Sequence, residues 1–401
     1  MIGMGFFQTL ATRAPVDMEW LQLRAGFSVF RASHAALFVD ESFEDIERDA
    51  NEHIVKVIDF RLSGMLKRLL VSAVQADLPG QRPEIGAQLM AYGIELHSRG
   101  HLQAAVDVFT LVFDTATGDA DIRLLAIQRR AFALRLLSQF DDAEVSYHQM
   151  IALAKQARDV SKRLEGQLGL AKVAIDRGNL PLARTAVQRV VRRAIRYSEP
   201  TIAAKAKIDL ARIAGLSDDP IGALDFTRQA LEWTTDANDR DRALMNMATA
   251  LRELGRSFSA GAIAAELRVS AIDGDLRAKA TVLAYNVAID EGDQNMMRDC
   301  RDSLSVTVLP PLVEARFHEA TARDAAARGE TQEALAAIQR VLAIAESNKL
   351  AETIFTADRA MEDVLEGRIP ALYSFRPIPP PAHAEHRLRR IEQAVLEHCS
   401  A

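Results

Sequence analysis

Apolar residues along most of the chain recur three or four positions apart, which is the spacing of one face of an α-helix. The stretch between the prolines at positions 83 and 181 contains no further proline and is rich in Ala, Leu, Val, Gln and Arg. These residues favour helices. Alternating patterns of β-branched residues, which would indicate strands, are nearly absent. The pattern therefore predicts an all-α protein.

A short phrase of the type Gly-x-Leu-x-x-Ala, as in residues 100–105, recurs along the chain. The small residue that ends it serves as an anchor, and successive anchors lie 37 to 40 residues apart. The seven anchors are Ala105, Ala143, Ala183, Ala223, Ala260, Met297 and Ala334. Such self-similarity at a fixed period is typical of proteins built from repeated helical units.

Two further positions of the repeat predict a helical hairpin. Five residues before each anchor stands Gly, Ser or Asp, and these residues allow a helix to stop in a tight turn. They are Gly100, Ser138, Gly178, Asp218, Gly255, Gly292 and Gly329. Twelve residues before the anchors the chain again places Gly or Ala, with Tyr285 as the exception. Small residues on both helices let the two approach closely.

The phrase resembles the tetratricopeptide repeat, whose pattern runs Gly-x-x-Tyr and then Ala-x-x-x-Phe. Gly93-x-x-Leu96 with Ala105-x-x-x-Phe109 matches it, and so does the equivalent stretch from 131 to 147. The resemblance covers roughly residues 86–366 and implies a right-handed superhelical solenoid of antiparallel helix hairpins. The period exceeds the usual ~34 residues, and the terminal proline of the family pattern is missing. The sixth repeat, around Met297, is degenerate.

This interpretation divides the chain into four segments. They are an N-terminal helical segment (1–82), the solenoid (83–366), a Pro-rich linker (367–383) and a C-terminal helix (384–401). The N-terminal segment has a capping-box pattern at residues 42–45 and a long amphipathic stretch after it; a cap on the first repeat and a separate effector-binding bundle both fit. The apolar face of the C-terminal helix suits folding back on the array or docking into a second subunit as a homodimer.

Composition and motifs narrow the function. The net charge of -6 and the pI of about 5.9 argue against a nucleic-acid partner. Two cysteines and the lack of a long apolar run indicate a cytoplasmic protein without a membrane span, and the high Ala and Arg content favours a bacterial source. No phosphate-binding loop, dinucleotide fingerprint, HExxH or nucleophile elbow occurs. We therefore predict no enzyme activity, no cofactor and no metal site.

Basic residues recur in register with the later anchors. Lys205, Arg242, Lys279 and Arg316 each lie 37 residues from the next, and seven residues further on stand Arg212, Thr249, Asn286 and Arg323. In the tetratricopeptide family this face lines the concave groove, where basic and Asn side chains hold peptide backbones and carboxylates. The resemblance thus implies the following partner-binding candidates: Lys172, Lys205, Arg212, Arg242, Asn246, Lys279, Asn286, Arg316 and Arg323. A cationic groove would favour an acidic or carboxylate-bearing partner.

The same residues also fit a plainer interpretation. Lys205 with Asp209, Glu319 with Arg323, and Arg316 with Glu319 have the spacing of ordinary pairs within one helix. The equivalent places of the first two repeats are apolar, which suits a hydrophobic partner or burial against the N-terminal segment; they hold Ala87, Ile94, Leu125 and Phe132.

Two functions fit these observations. The first is a scaffold or adaptor that binds a protein or peptide segment in the groove. The second is a regulator that responds to a peptide or small ligand, because a helical N-terminal segment followed by about seven repeats is similar in layout to bacterial peptide-sensing regulators of the Rap and PlcR type.

Overall fold

The computed structural model describes residues 43–55, 60–75, 82–116, 119–348, 350–370, 385–386, 388–391 and 393. All regular secondary structure within these ranges is helical, as predicted. In chain order the helices are α1 (Phe43–Ile54), α2 (Phe60–Gln75), α3 (Arg82–Ser98), α4 (Leu102–Thr115), α5 (Ala120–Leu136), α6 (Phe140–Gln156), α7 (Val160–Asp176), α8 (Leu180–Arg196), α9 (Pro200–Gly215), α10 (Pro220–Leu231), α11 (Ala237–Glu253), α12 (Ser257–Ser270), α13 (Gly274–Glu291), α14 (Gln294–Ser305), α15 (Pro311–Ala327), α16 (Thr331–Ser347) and α17 (Ala351–Leu365).

The turns that join the two helices of each repeat confirm the hairpin prediction. All seven residues that stand five positions before an anchor have a positive φ, between 55° and 84°. The following N–H closes the turn; for example, Asn179 N donates to Ala174 O at 2.9 Å. This is the left-handed helix ending that glycine favours. Ser138 and Asp218 adopt it despite carrying a side chain.

The chain divides into two compact units, of which the first comprises residues 1–135 and 141–162. Its core joins α1 and α2 to the first hairpin, with Ile54, Leu66 and Leu69 buried in the same cluster as Phe109. The predicted amphipathic stretch is thus two helices, α1 and α2. Ser42 of the predicted capping box lies outside the described residues.

Small and large side chains alternate at the hairpin contact. A Cβ added at Gly93 would lie 2.6 Å from the Phe109 ring, so only glycine fits there. In the degenerate sixth repeat both positions hold large side chains, because Tyr285 occupies the place of Gly93 and Arg301 that of Phe109. The Arg301 guanidinium lies 5.9 Å from the centre of the buried Tyr285 ring. The sixth hairpin, α13 and α14, therefore forms with the aromatic residue on the opposite helix.

The second unit comprises residues 136–140 and 163–401. From α8 to α14 each helix packs on the next, and α15, α16 and α17 do the same. The first helices of successive repeats also contact one another, from α9 through α11, α13 and α15 to α17. These first helices form a continuous row, so side chains in equivalent positions lie on neighbouring helices.

The described C-terminal residues 385–386 and 388–391 fold back onto the other helices of the second unit. Leu388 is buried in a cluster with residues of α11, α12 and α13, and Ile391 packs against the same cluster. Both carboxylate oxygens of Glu385 accept hydrogen bonds from Arg256 at 2.7 Å. Of the two predicted arrangements the structure shows folding back. The linker residues 371–384 lie outside the described residues.

Candidate partner-binding surface

All nine predicted partner-binding residues lie on the first helices of the repeats. Lys172 is on α7, and the others are on α9, α11, α13 and α15. The structure places an acidic side chain beside each of the seven Lys and Arg residues among them. We call this set of paired charges the charge ladder; it consists of Glu165, Lys172, Asp176, Lys205, Asp209, Arg212, Asp239, Arg242, Arg252, Asp275, Lys279, Asp290, Arg316, Glu319 and Arg323.

Lys205 bridges three helices of the row. Its Nζ lies 2.8 Å from Glu165 Oε1 on α7 and 3.9 Å from Asp239 Oδ2 on α11. Burial disfavours the charged ammonium, but the two carboxylates outweigh this effect and raise the pKa of Lys205 above its ordinary value. The residue is therefore a fixed positive charge held by its neighbours.

Asp209 on α9 forms a deeply buried junction of the ladder, with its side chain only 2% exposed. Its two oxygens lie 3.5 Å from Lys172 Nζ and 3.2 Å from Arg242 Nη2, on the helices to either side. Arg242 also reaches Asp239 at 3.2 Å. A carboxylate this deep remains tolerable only because two cations compensate its charge.

One pairing of an acid with an arginine on the next first helix repeats along the row, and we call it the pairing rule. The acid seven residues before one anchor pairs with the Arg eleven residues before the next, as in Asp176 with Arg212 at 2.6 Å. Asp290 and Arg323 repeat this geometry at 3.1 Å, and Arg252 adds a further contact to Asp290 at 2.8 Å.

The remaining cations pair within their own helices. Arg316 lies 2.8 Å from Glu319, as the plainer interpretation predicted, and Lys279 lies 2.5 Å from Asp275, a pair that the interpretation did not name. The other two predicted intrahelical pairs were wrong. Lys205 and Asp209 each pair with residues of the neighbouring helices α7 and α11 instead of with each other, and Arg323 pairs with Asp290 rather than with Glu319.

The side-chain amides of the two candidate asparagines donate to backbone carbonyls. Asn246 Nδ2 donates to Ile208 O at 2.8 Å, and Asn286 Nδ2 donates to Val282 O at 2.9 Å. The buried atoms Asn286 Oδ1, Glu319 Oε1 and Arg323 Nε have no hydrogen-bond partner among the described residues. Buried polar atoms are normally hydrogen-bonded, so these three mark places where the packing of the row leaves a polar group unsatisfied.

The pairing rule has a gap at Glu253. This residue stands seven positions before its anchor, like Asp176 and Asp290, but the position that supplies Arg in the other pairs holds Asn286. Burial, with the nearby Asp218 carboxylate, raises the pKa of Glu253 to about 7. The neighbouring Arg252 lowers the pKa of Glu253 but does not offset the effect of burial, and its guanidinium is paired with Asp290.

Sequence reasoning found the basic half of this surface and missed the acidic half. The signal was present, because Asp176 and Asp290 share one register and Glu165 occupies the place of Lys205 in the preceding repeat. The surface is a lattice of both signs rather than a purely cationic groove. In the first unit the equivalent apolar residues Ile94 and Leu125 pack against the core, so burial explains them.

The described residues contain no group of three or more His, Cys, Asp or Glu placed to hold a metal ion. Nor does any helix in this part of the chain have the length and apolar character to cross a membrane.

Comparison with known proteins gives a match by structure. No protein-family model matches the chain, and no curated protein matches it by sequence. A solved structure described as "Crystal Structure of Rap Protein Complexed with Competence and Sporulation Factor" is similar at 14% identity and a TM-score of 0.52, covering 84% of this chain and all of that one. The Rap conjugation gene regulator of plasmid pLS20, in complex with the Phr* peptide, gives 11% identity and a TM-score of 0.49 over 86% of this chain and 96% of its own.

The first of these similarities extends over more of the chain than the predicted repeats at 86–366. Together with the hairpin turns and the row of first helices, it shows the fold. The chain is an all-α protein of tetratricopeptide-like helical hairpins.

Proposed function

We propose that this protein is a non-catalytic binding protein that holds a protein or peptide segment along the first helices α7 to α15. The observation that carries the proposal is the continuous row of first helices, on which polar side chains such as Arg212 and Lys279 remain partly accessible. A peptide presents both backbone groups and carboxylates that such side chains take. The similar Rap protein was also solved in complex with a factor, which supports a binding role.

The charge ladder favours a ligand that bears carboxylates. Because the cations are already paired with acids of the chain, the net positive charge of the surface does not attract this ligand. Its most exposed cations, Lys279 and Arg212, have side chains 39% and 34% accessible while each holds an acid of the chain. A ligand carboxylate shares these cations as an additional acceptor. Recognition then depends on matching positions along the row, and the long-range attraction of a bare cationic groove is absent.

The binding test uses neutral substitutions at exposed ladder positions. Changing Lys205, Arg242 and Arg316 to Glu would place new acids beside the buried Asp209 and Glu319, and loss of binding would then reflect unfolding. The better variant combines Arg212→Gln and Lys279→Gln. Pull-down from a cell extract with mass spectrometry should show a dominant partner for the wild type and at least a tenfold lower recovery for this variant.

A matched control removes the same charge elsewhere. Arg277 and Arg298 are exposed on α13 and α14, outside the ladder. The variant Arg277→Gln/Arg298→Gln should retain the partner. Equal recovery by the ladder variant and the wild type, with both folded by circular dichroism, would exclude the first helices as the binding surface.

A second candidate is a ligand-gated regulator with a Rap-like layout. It is favoured by the extent of the structural similarity, which includes all of the Rap chain. In this function, binding along the first helices changes how the N-terminal segment meets a target. Small-angle scattering should then show compaction when the recovered ligand is added, whereas an unchanged envelope would favour the scaffold.

A further inference from the structure

Helix α8 carries an unusual excess of positive charge. Between Asp176 and Glu199 the chain has six arginines and no acidic residue, although the whole chain has a net charge of -6. The helix is well formed, with Asn179 capping its start through a 3.2 Å bond from Leu182 N. Its apolar side, from Ala183 to Ala194, is buried within the second unit. The arginines must therefore lie on the opposite, exposed side.

Four of these residues form what we call the arginine face: Arg189, Arg192, Arg193 and Arg196, all exposed. Their spacing of three, four and seven residues places them on one side of the helix over about 10 Å. Arg193 donates to Gln167 at 2.9 Å. Arg189, Arg192 and Arg196 form no ion pair with any residue that the structure describes. The helix dipole accounts for basic residues in the last turn, but not for Arg189 and Arg192 further back.

An apolar pocket of about 240 Å³ opens where α8 ends. It is lined by Ala194, Ile195, Ser198, Glu199, Pro200, Ala203 and Trp233. Ile195 and Trp233 remain 57% and 37% exposed, so both are accessible to an apolar side chain of a ligand. The ammonium of Lys207 lies 3.7 Å from the centre of the Trp233 ring. The volume is below the ~300–1,000 Å³ of small-molecule sites and suits a single large side chain.

The pocket and the arginine face are continuous, because Ile195 lies one turn after Arg192 and next to Arg196 on the same helix. We propose that together they form a second binding site, which takes an acidic protein segment carrying one large apolar side chain. The apolar side chain enters the pocket against Trp233, and carboxylates pair with the arginine face. An extended segment rises about 3.3 Å per residue, so three or four residues span the arginines.

Charge complementarity favours this occupant over nucleic acid. The pocket beside the arginine face is apolar and lies at the carbonyl end of α8, so it suits the uncharged side chain of a protein segment and not a phosphate. A membrane surface fits less well, because the apolar side of α8 is already buried and cannot insert.

The test selects ligands without assuming their sequence. The full-length wild type would be presented to a displayed library of random 12-residue peptides, with counter-selection on the variant Arg189→Gln/Arg192→Gln/Arg196→Gln. The expected consensus contains three or more Asp or Glu next to Leu, Ile, Phe, Trp or Tyr. A consensus lacking this combination, or no enrichment, would overturn the proposal.

The selected peptide then tests the pocket and its independence from the charge ladder. Binding to the Arg→Gln triple variant and to Trp233→Ala should be at least tenfold weaker, while Arg212→Gln/Lys279→Gln should bind like the wild type. A loss confined to the ladder variant would assign the peptide to the first helices instead. Tighter binding of duplex DNA or phosphatidylserine vesicles than of the peptide, lost in the triple variant, would replace the protein segment with those partners.

Discussion

The second unit presents two basic surfaces that look alike in sequence and differ in structure. On the charge ladder the Lys and Arg side chains lie against acids of the same or a neighbouring helix, as Lys205 does with Glu165. On the arginine face, Arg189, Arg192 and Arg196 have no such partner among the described residues. The count of cations therefore says little about surface potential. What matters is whether the adjoining helix supplies the opposite charge.

The difference separates two physical roles. Paired, half-buried charges hold helices in register and respond weakly to salt, because they are shielded from solvent ions. Unpaired exposed charges add little to stability but attract an oppositely charged partner from a distance. The ladder is thus suited to ordered recognition at short range, and the arginine face to attracting an acidic segment.

The largest expected effect is on stability at Asp209. Asp209→Ala removes the acid shared by Lys172 and Arg242 and should lower the free energy of unfolding by about 3 kcal/mol. Urea denaturation followed by circular dichroism measures this. A loss below about 1 kcal/mol would show that the ladder does not couple the helices and would remove the contrast with the arginine face.

The second prediction concerns how the stability of the protein depends on pH through Glu253, the acid for which the pairing rule supplies no arginine. Its pKa of about 7 in the fold exceeds the ordinary 4.5, so the unfolded chain ionises first as pH rises. The wild type should therefore lose stability relative to Glu253→Gln between about pH 4.5 and 7, by roughly 1–2 kcal/mol after solvent screening, and the difference should level off above pH 7. Unfolding curves at pH 4.5, 6 and 8 measure it; parallel curves would contradict it.

Asn286→Arg should close the same gap. The new guanidinium would stand toward Glu253 as Arg212 stands toward Asp176. The equivalent site holds the buried Arg323, so the helix row accommodates an arginine there. We expect about 1 kcal/mol of added stability at pH 8. The gain should vanish when Glu253→Gln is added, and a gain that survives this second change would point to another cause.

The smallest effect is expected at the arginine face. Changing Arg189, Arg192 and Arg196 together to Gln should alter the free energy of unfolding by less than about 0.5 kcal/mol, because exposed side chains without partners contribute little. The same urea measurement applies. A large destabilisation would mean that these arginines act structurally, as the ladder does.

Much of the fold could be predicted from the sequence. The period of 37 to 40 residues and the turn residues located the hairpins, and all seven turns have the expected left-handed backbone. The sixth repeat looked degenerate because Tyr285 and Arg301 replace the usual small residue and aromatic residue at two facing positions. The pattern within one helix cannot reveal that the aromatic residue has moved to the facing helix.

The candidate surface was only half predictable. The positions of the cations followed from the repeat, but Asp209 and Asp290 could be matched to Arg242 and Arg323 only across helices 33 residues apart in the chain. The pocket beside Trp233 had no sequence signal, because its walls come from α8, α9 and the turn after α10.

The sequence by itself determined the helices, their turns and the register of equivalent positions, because these depend on local periodicity and on which residues tolerate a left-handed turn. The tertiary structure decided which charges are neutralised, which buried polar atoms lack a hydrogen-bond partner among the described residues, and where the C-terminal residues 385–386 and 388–391 dock. Those outcomes depend on distances between helices that are remote in the chain, and electrostatic interactions depend on separation in space.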